Sequence, residues 1–149
     1  MILVRDMIRV VILCLTLASC ATPGISRVQA SEPIALPAQM AYAMVQQGAI
    51  LVDVRTDQER AVSFEDPRGA YRIPYPKNGM GDKALFVKRV SALREANHNA
   101  PVVLICSKGI RSQWAGEALA SSGLTEVYTV VGGLEGDRGW VDSDLPVEE

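Results

Sequence analysis

Two continuous apolar runs constrain the fold more than any other feature of this sequence. Residues 49–54 read Ala-Ile-Leu-Val-Asp-Val, and residues 101–105 read Pro-Val-Val-Leu-Ile directly before Cys106. Runs of this length without polar alternation are typical of strands that are buried on both faces of a parallel sheet. A third run lies at residues 127–131, and helical spacing occupies segments between the runs. This alternation predicts an α/β fold in which helices flank a mostly parallel central sheet.

The segments around these strands have recognisable start and stop signals. Residues 34–36 predict a short edge strand, after which Pro37 can open a helix because the first helical N–H has no partner to lose. Gly48 is a typical stop for that helix. We predict two further helices, one capped by Asp82 and reaching Asn97, the other over residues 111–122.

The remaining expectations concern less regular parts of the domain. Residues 55–80 are rich in proline and glycine turns and predict irregular structure. Trp114 and Trp140 are expected in the core, and His98 is expected to be a solvated loop residue.

The first residues are typical of a secretory signal. Arg5 and Arg9 precede an apolar stretch that is too short to span a bilayer, which needs about 20 residues. Residues 17–20 read Leu-Ala-Ser-Cys and resemble the lipobox of bacterial lipoproteins, in which the cysteine is acylated. We therefore expect a signal peptide over residues 1–19, a lipidated Cys20, a flexible tether over residues 20–33 and a domain over residues 34–149.

This pattern implies a location on the periplasmic side of a bacterial envelope. The protein would be held at the membrane by its N-terminal lipid, and Ala21 after the cysteine resembles the outer-membrane sorting signal. An alternative is ordinary cleavage after Ala30, since residues 28–30 form a small-x-small site. That cleavage would give a soluble periplasmic protein.

Charge and cysteine content exclude several classes of function. The 15 basic and 17 acidic residues give a net charge of −2, so there is no basic excess to favour nucleic acid as a partner. His98 is the only histidine, and the cysteines are Cys14, Cys20 and Cys106. Their spacing fits neither a disulfide framework nor a metal site.

The loop that follows the second strand carries the candidate chemistry. It reads Cys106, Ser107, Lys108, Gly109, Ile110, Arg111 and Ser112. Backbone N–H groups of a curled loop and the positive end of the following helix can converge on the thiol. Lys108 and Arg111 add two cations, and Gly109 tolerates the positive φ that tight curling requires. These features favour a thiolate, the nucleophilic form of cysteine.

This loop resembles the active-site loop of the rhodanese family, in which a cysteine is followed by two variable residues, glycine, one variable residue, arginine and serine or threonine. Residues 51–55 with Glu59, residues 69–75, residues 131–134 and residues 140–147 resemble further segments of the same family. The resemblance covers about residues 34–147. It implies a rhodanese-like three-layer fold, with Cys106, Lys108 and Arg111 as catalytic residues and residues 107–112 as the substrate-binding loop.

The resemblance also implies a reaction. The Cys106 thiolate would take a sulfane sulfur from thiosulfate or a related anion and pass it, as a persulfide, to a thiol or to cyanide. Neither step requires a metal, a nucleotide or an organic cofactor. The sequence does not indicate a protein partner.

The same loop bears on three alternative functions. Four residues separate Cys106 from Arg111, which resembles the sulfurtransferase loop, whereas the related phosphatases and arsenate reductases have one residue more. A non-catalytic module that binds a periplasmic partner remains open, although the nucleophile and both cations are present. A thiol oxidoreductase normally needs a second cysteine in the domain.

Two details lie outside the loop. Asp53 and Arg55 are possible supporting residues, with a structural pairing favoured over a catalytic role. The family often has a histidine in a His-Ile-Pro-Gly-Ala segment, but residues 66–74 here read Asp-Pro-Arg-Gly-Ala-Tyr-Arg-Ile-Pro. The missing histidine affects what the resemblance implies about the pocket wall and the substrate preference, but not what it implies about the nucleophile.

Overall fold

Apolar side chains on both faces of the central strands determine the architecture. The structure is a computed structural model, and it describes residues 32–63, 65–76 and 81–148. In chain order the elements are β1 Ile34–Leu36, α1 Ala38–Gln46, β2 Ile50–Asp53, α2 Asp57–Arg60, β3 Asp66–Pro67, β4 Tyr71–Arg72, α3 Lys83–Ala96, β5 Val102–Ile105, α4 Ile110–Ser121, β6 Val127–Val130 and β7 Val147–Glu148.

Five strands form one parallel sheet in the order β1-β6-β5-β2-β4. Strands β2 and β5 are central neighbours, and Asp53 pairs with Ile105 at the end of both. Because the carboxyl ends of parallel strands share one edge, Asp53 and Cys106 are brought to the same edge. A separate antiparallel pair joins β3 to β7. The predicted α/β fold with a parallel sheet is confirmed.

Alternate residues of the strands supply two cores, as the two-residue period of a strand requires. Val52 and Leu104 face α3 and α4, where they pack with Phe86, Val90 and Leu119. Leu51, Val103 and Ile105 face α1 and pack with Ala38, Ala41 and Trp140. The sheet is therefore covered by helices on both sides. Trp140 is buried as predicted, and its indole N–H donates to the Pro146 carbonyl over 2.9 Å.

Helix termini follow the sequence signals closely. Asp82 caps α3 by accepting from the Leu85 N–H over 2.8 Å, and Pro37 stands directly before α1. Helix α1 ends near Gly48, which has a φ of +102°. His98 is an exposed loop residue after α3, as predicted.

Two expectations are wrong in detail. Residues 55–80 hold α2, β3 and β4 where irregular structure was predicted. These elements have two to four residues, which is too short for a periodic pattern to show. Trp114 is 42% exposed rather than in the core, because its position on α4 faces away from the sheet. Pro33, which the sequence places in the tether, is buried and lies where a Cβ on Gly116 would have to go.

The predicted signal peptide and most of the tether fall outside the described residues. Within those that are described, no helix is both long enough and apolar enough to cross a bilayer.

An ion-pair cluster joins β3 to the end of β2. Asp66 accepts from Arg60 over 2.8 Å, from Arg72 over 2.5 Å, and also from Arg55. The hydrogen bond from Arg60 lowers the pKa of Asp66 below its ordinary value of 3.8, against the opposing effect of burial. Since the folded state then binds this proton less tightly than the unfolded state, ionised Asp66 stabilises the fold above pH 4, and this is lost as the pH falls through the lowered pKa.

We predict that Asp66→Asn lowers the free energy of unfolding at pH 7 by about 1–3 kcal/mol, because hydrogen bonds to charged groups are lost. The difference from the wild type should shrink progressively as the pH falls below about 4, because Asp66 of the unfolded chain takes up its proton first and Asp66 of the folded chain does so only at lower pH. Urea denaturation at pH 7 and pH 3 measures both values. Asp137→Asn, at an exposed acid, is the matched control, and an equal loss there would contradict the assignment to the cluster.

Candidate active site

The Cys106 loop connects the end of β5 to the start of α4. Gly109 is the N-cap of α4 and has a φ of +90°, the left-handed conformation that glycine adopts without strain. No side chain caps this helix end. Its free N–H groups and the positive end of the helix dipole are therefore available to the sulfur atom.

Two backbone N–H groups point at the Cys106 sulfur. The Gly109 nitrogen lies 3.2 Å from Sγ, and the Ser112 nitrogen lies 3.4 Å from it. The Ser112 hydroxyl is 3.7 Å from Sγ and donates to the Gly109 carbonyl over 2.8 Å. The two N–H groups therefore converge on the sulfur from the loop and from the first turn of α4, where they can donate to it. Cys106 itself is only 3% exposed.

A turn at residues 133–135 is hydrogen-bonded to the backbone of the Cys106 loop. The Leu134 N–H donates to the Cys106 carbonyl and the Glu135 N–H donates to the Ser107 carbonyl, both over 2.8 Å. Gly133 lies so close that an added Cβ would be 2.2 Å from the Cys106 carbonyl oxygen and 2.7 Å from the Gly109 nitrogen. No larger residue fits there without displacing the loop.

The two cations of the loop are in different environments. Lys108 is exposed at the loop surface. The Arg111 side chain is only 11% exposed and forms an ion pair between its Nη1 and the Glu59 carboxylate. Neither Nη1 nor Nε has a partner in hydrogen-bond geometry among the described residues. Burial lowers the pKa of Arg111 below its ordinary value, and the nearby Asp53 carboxylate opposes that shift.

Glu59 is a site residue that sequence reasoning did not select. Its carboxylate accepts from the Thr56 N–H and the Thr56 hydroxyl, both over 2.9 Å, while Thr56 accepts from the Glu59 N–H. This is a capping box at the start of α2. The Thr-x-x-Glu spacing was the available signal for the helix, but it does not indicate that the same carboxylate also pairs with Arg111.

Asp53 and Arg55 form a buried ion pair at the carboxyl end of β2, which is the kind of pairing that the structural interpretation of these residues describes. The Asp53 carboxylate accepts from the Arg55 N–H over 3.0 Å and from Arg55 Nη2 over 2.8 Å. Arg55 also donates to the Glu65 carbonyl over 3.2 Å. Both side chains are almost fully buried, and burial of charge is tolerated because the groups are paired and hydrogen-bonded.

The other predicted positions are distributed around this centre. Ser107 and Ser112 belong to the loop backbone that faces Cys106 and the 133–135 turn, whereas Ile110 is 63% exposed. Cys20 lies outside the described residues. Among the residues that are described, no three metal-ligating side chains come together. A cavity of about 960 Å³ between α3 and α4 includes no residue of the 106–112 loop. The candidate site is therefore identified by the backbone geometry at the sulfur and not by this cavity.

The parallel α/β sheet and the cysteine loop at its carboxyl edge define the class of protein, and comparison with known families agrees. Residues 37–139 match the family model described as "Rhodanese-like domain". The chain therefore belongs to the rhodanese-like family, as the sequence resemblance predicts.

Individual relatives are consistent with this assignment. "Thiosulfate sulfurtransferase GlpE" of Glaesserella parasuis is 34% identical over 111 residues, covering 74% of this chain and 88% of the relative. "Rhodanese-like domain-containing protein 17" of Arabidopsis thaliana is 31% identical over 123 residues, covering 79% and 76%. A full-length Lactobacillus plantarum protein of known structure superposes with a TM-score of 0.55 at 24% identity, covering 78% and 87%, which shows the shared fold.

We predict that Glu59→Gln makes the electrostatic potential at Cys106 more positive, because the amide can still accept from Thr56 but no longer neutralises Arg111. The alkylation rate with anionic iodoacetate divided by the rate with neutral iodoacetamide measures this potential, since the two reagents are similar in size. The ratio should rise several-fold in Glu59→Gln, as expected for about 1 kcal/mol of partly screened interaction, and fall in Lys108→Ala.

Asp57→Asn is the matched control for this experiment, since Asp57 lies in the same short helix and is exposed. If Asp57→Asn raises the ratio as much as Glu59→Gln does, the effect comes from net charge and not from the ion pair with Arg111.

Proposed function

We propose that this protein is a sulfurtransferase that carries a sulfane sulfur on Cys106 between a thiosulfate-like donor and a thiophilic acceptor. The observation that carries this proposal is the convergence of the Gly109 and Ser112 N–H groups on Sγ. Such donors stabilise a thiolate before the reaction and a persulfide anion after it. The relatives named thiosulfate sulfurtransferase support the choice of donor.

In the first step, the Cys106 thiolate attacks the outer sulfur of thiosulfate. A bond forms between Sγ and that sulfur while the sulfur–sulfur bond of thiosulfate breaks, and sulfite leaves with the bonding electron pair. The product is the Cys106 persulfide anion. Sulfur is redistributed between the two molecules, so the step needs no external oxidant or reductant.

In the second step, an acceptor nucleophile attacks the terminal sulfur of the persulfide. The bond between that sulfur and Sγ breaks, and Cys106 leaves as the thiolate. Cyanide gives thiocyanate. A thiol gives a persulfide, and the thiol proton passes to solvent.

Lys108 and Arg111 have different roles in the proposed reaction. Lys108 is exposed at the loop and can attract the dianionic donor, an effect that salt screens. Arg111 is held against Glu59 at the first turn of α4, where this ion pair fixes the side chain at the end of the loop. Arg111 is thereby a positioning residue as well as a cation.

The proposal is tested by intact-mass analysis of the protein after incubation with thiosulfate and removal of the excess. We expect a gain of one sulfur atom, about 32 Da, that cyanide removes with release of thiocyanate. Cys106→Ser should show no gain and retain the wild-type fold, since the two side chains are similar in size. Unchanged turnover in that variant, or no mass gain in the wild type, would reject the persulfide mechanism.

We further propose that the protein acts on the periplasmic side of a bacterial envelope, held there by a lipid on Cys20. This proposal rests on the lipobox-like residues 17–20 and the apolar stretch before them. Expression of the full chain with radiolabelled palmitate should label the wild type and leave Cys20→Ala unlabelled and outside the membrane fraction. A soluble mature chain that begins at Ser31 would instead establish cleavage after Ala30.

A further inference from the structure

A second groove lies beside the Cys106 loop, on the side of β6 and β1. Its volume is about 340 Å³, and its walls include Gly109, whose N–H reaches Sγ. Three large apolar side chains with 40% to 63% exposure line it: Ile110, Trp114 and Val131. We call these three side chains the loop-side patch.

The patch is held on rigid elements. Ile110 and Trp114 are four residues apart on α4 and therefore lie on one face of that helix. Val131 follows β6, and its N–H donates to the Leu36 carbonyl over 2.9 Å. Apolar side chains that are exposed together at a fixed position are typical of interaction surfaces.

The charge that the described residues give the groove is positive. Among the described residues that line it, Lys108 alone carries a charge. A molecule that complements this surface presents apolar groups together with a carboxylate. Thiosulfate and cyanide have no apolar surface, so neither of them uses the patch.

We propose that the loop-side patch docks the sulfur acceptor, and that this acceptor is a polypeptide whose cysteine lies next to apolar and acidic side chains. This inference rests on the proposed function and names the acceptor of its second step. The acceptor thiolate attacks the terminal sulfur of the Cys106 persulfide, and Cys106 leaves as the thiolate. The Gly109 wall places the docked chain beside the reacting sulfur.

Two synthetic peptides test the proposal with the full chain. One reads Leu-Asp-Cys-Leu-Gly, and the other reads Ser-Asn-Cys-Ser-Gly. Protein loaded with thiosulfate, with its mass gain verified, is mixed with each peptide, and the decay of the persulfide is followed by rapid quench and mass analysis. We expect the apolar acidic peptide to react about tenfold faster, with an advantage that decreases as salt is added.

Variants of the patch localise the effect. Trp114→Ala and the milder Val131→Ser should each slow transfer to the apolar acidic peptide by about tenfold, since truncating an anchor residue commonly costs that much. Sulfur transfer from thiosulfate to cyanide should be unchanged in both. Leu85→Ser is the matched control, because Leu85 is also 42% exposed and lies outside the groove.

Binding is also measured without sulfur transfer. The apolar acidic peptide with serine in place of cysteine, labelled with a fluorophore, should bind the unloaded wild type and lose affinity in the two patch variants. If thiosulfate does not load Cys106 with sulfur but the labelled peptide binds normally, the proposed function is rejected and the docking surface still stands. Equal behaviour of the two peptides, or a concentration-dependent dimer that Trp114→Ala abolishes, would overturn the docking proposal.

Discussion

The curl of the Cys106 loop depends on where its carbonyl groups are held. The Cys106 and Ser107 carbonyls accept from the N–H groups of Leu134 and Glu135 on the far side from the sulfur. Once these oxygens are fixed behind the loop, the N–H groups of Gly109 and Ser112 face Sγ. The glycine at position 133 allows the two segments to approach closely enough for this pairing. The orientation of the backbone is therefore what directs these two N–H groups at the sulfur.

The charged side chains around the site are of two kinds: buried or half-buried arginines that are paired with acids, and one exposed lysine on the loop. Arg55 is paired with Asp53 and Asp66, and Arg111 with Glu59. These pairs place fixed charges in a buried region at tolerable cost, since each cation has an acidic partner. Lys108, in contrast, faces solvent. The exposed cation of the loop is thus separate from the largely buried cation that pairs with Glu59.

Local patterns in the sequence predicted most of the fold and the centre of the site. The apolar runs of β2 and β5 and the loop from Cys106 to Ser112 are continuous in sequence, so their arrangement follows from neighbouring residues. The ion pair of Glu59 with Arg111 joins residues far apart in the chain, so no local pattern around Glu59 indicates it. Strands β3 and β7 have two residues each, and Trp114 is apolar yet exposed, so neither periodicity nor hydrophobicity predicts them.

The nearly complete enclosure of the Cys106 sulfur has a consequence for the order of events in the proposed reaction. Displacement at sulfur is collinear, so sulfite departs from the side of the transferred sulfur opposite Sγ, and the acceptor must approach from that same side. Because Cys106 is only 3% exposed, the donor and the acceptor would have to reach the transferred sulfur from the same side and could not do so together. Sulfite would leave before the acceptor arrives, and the protein would hold the persulfide between the two steps.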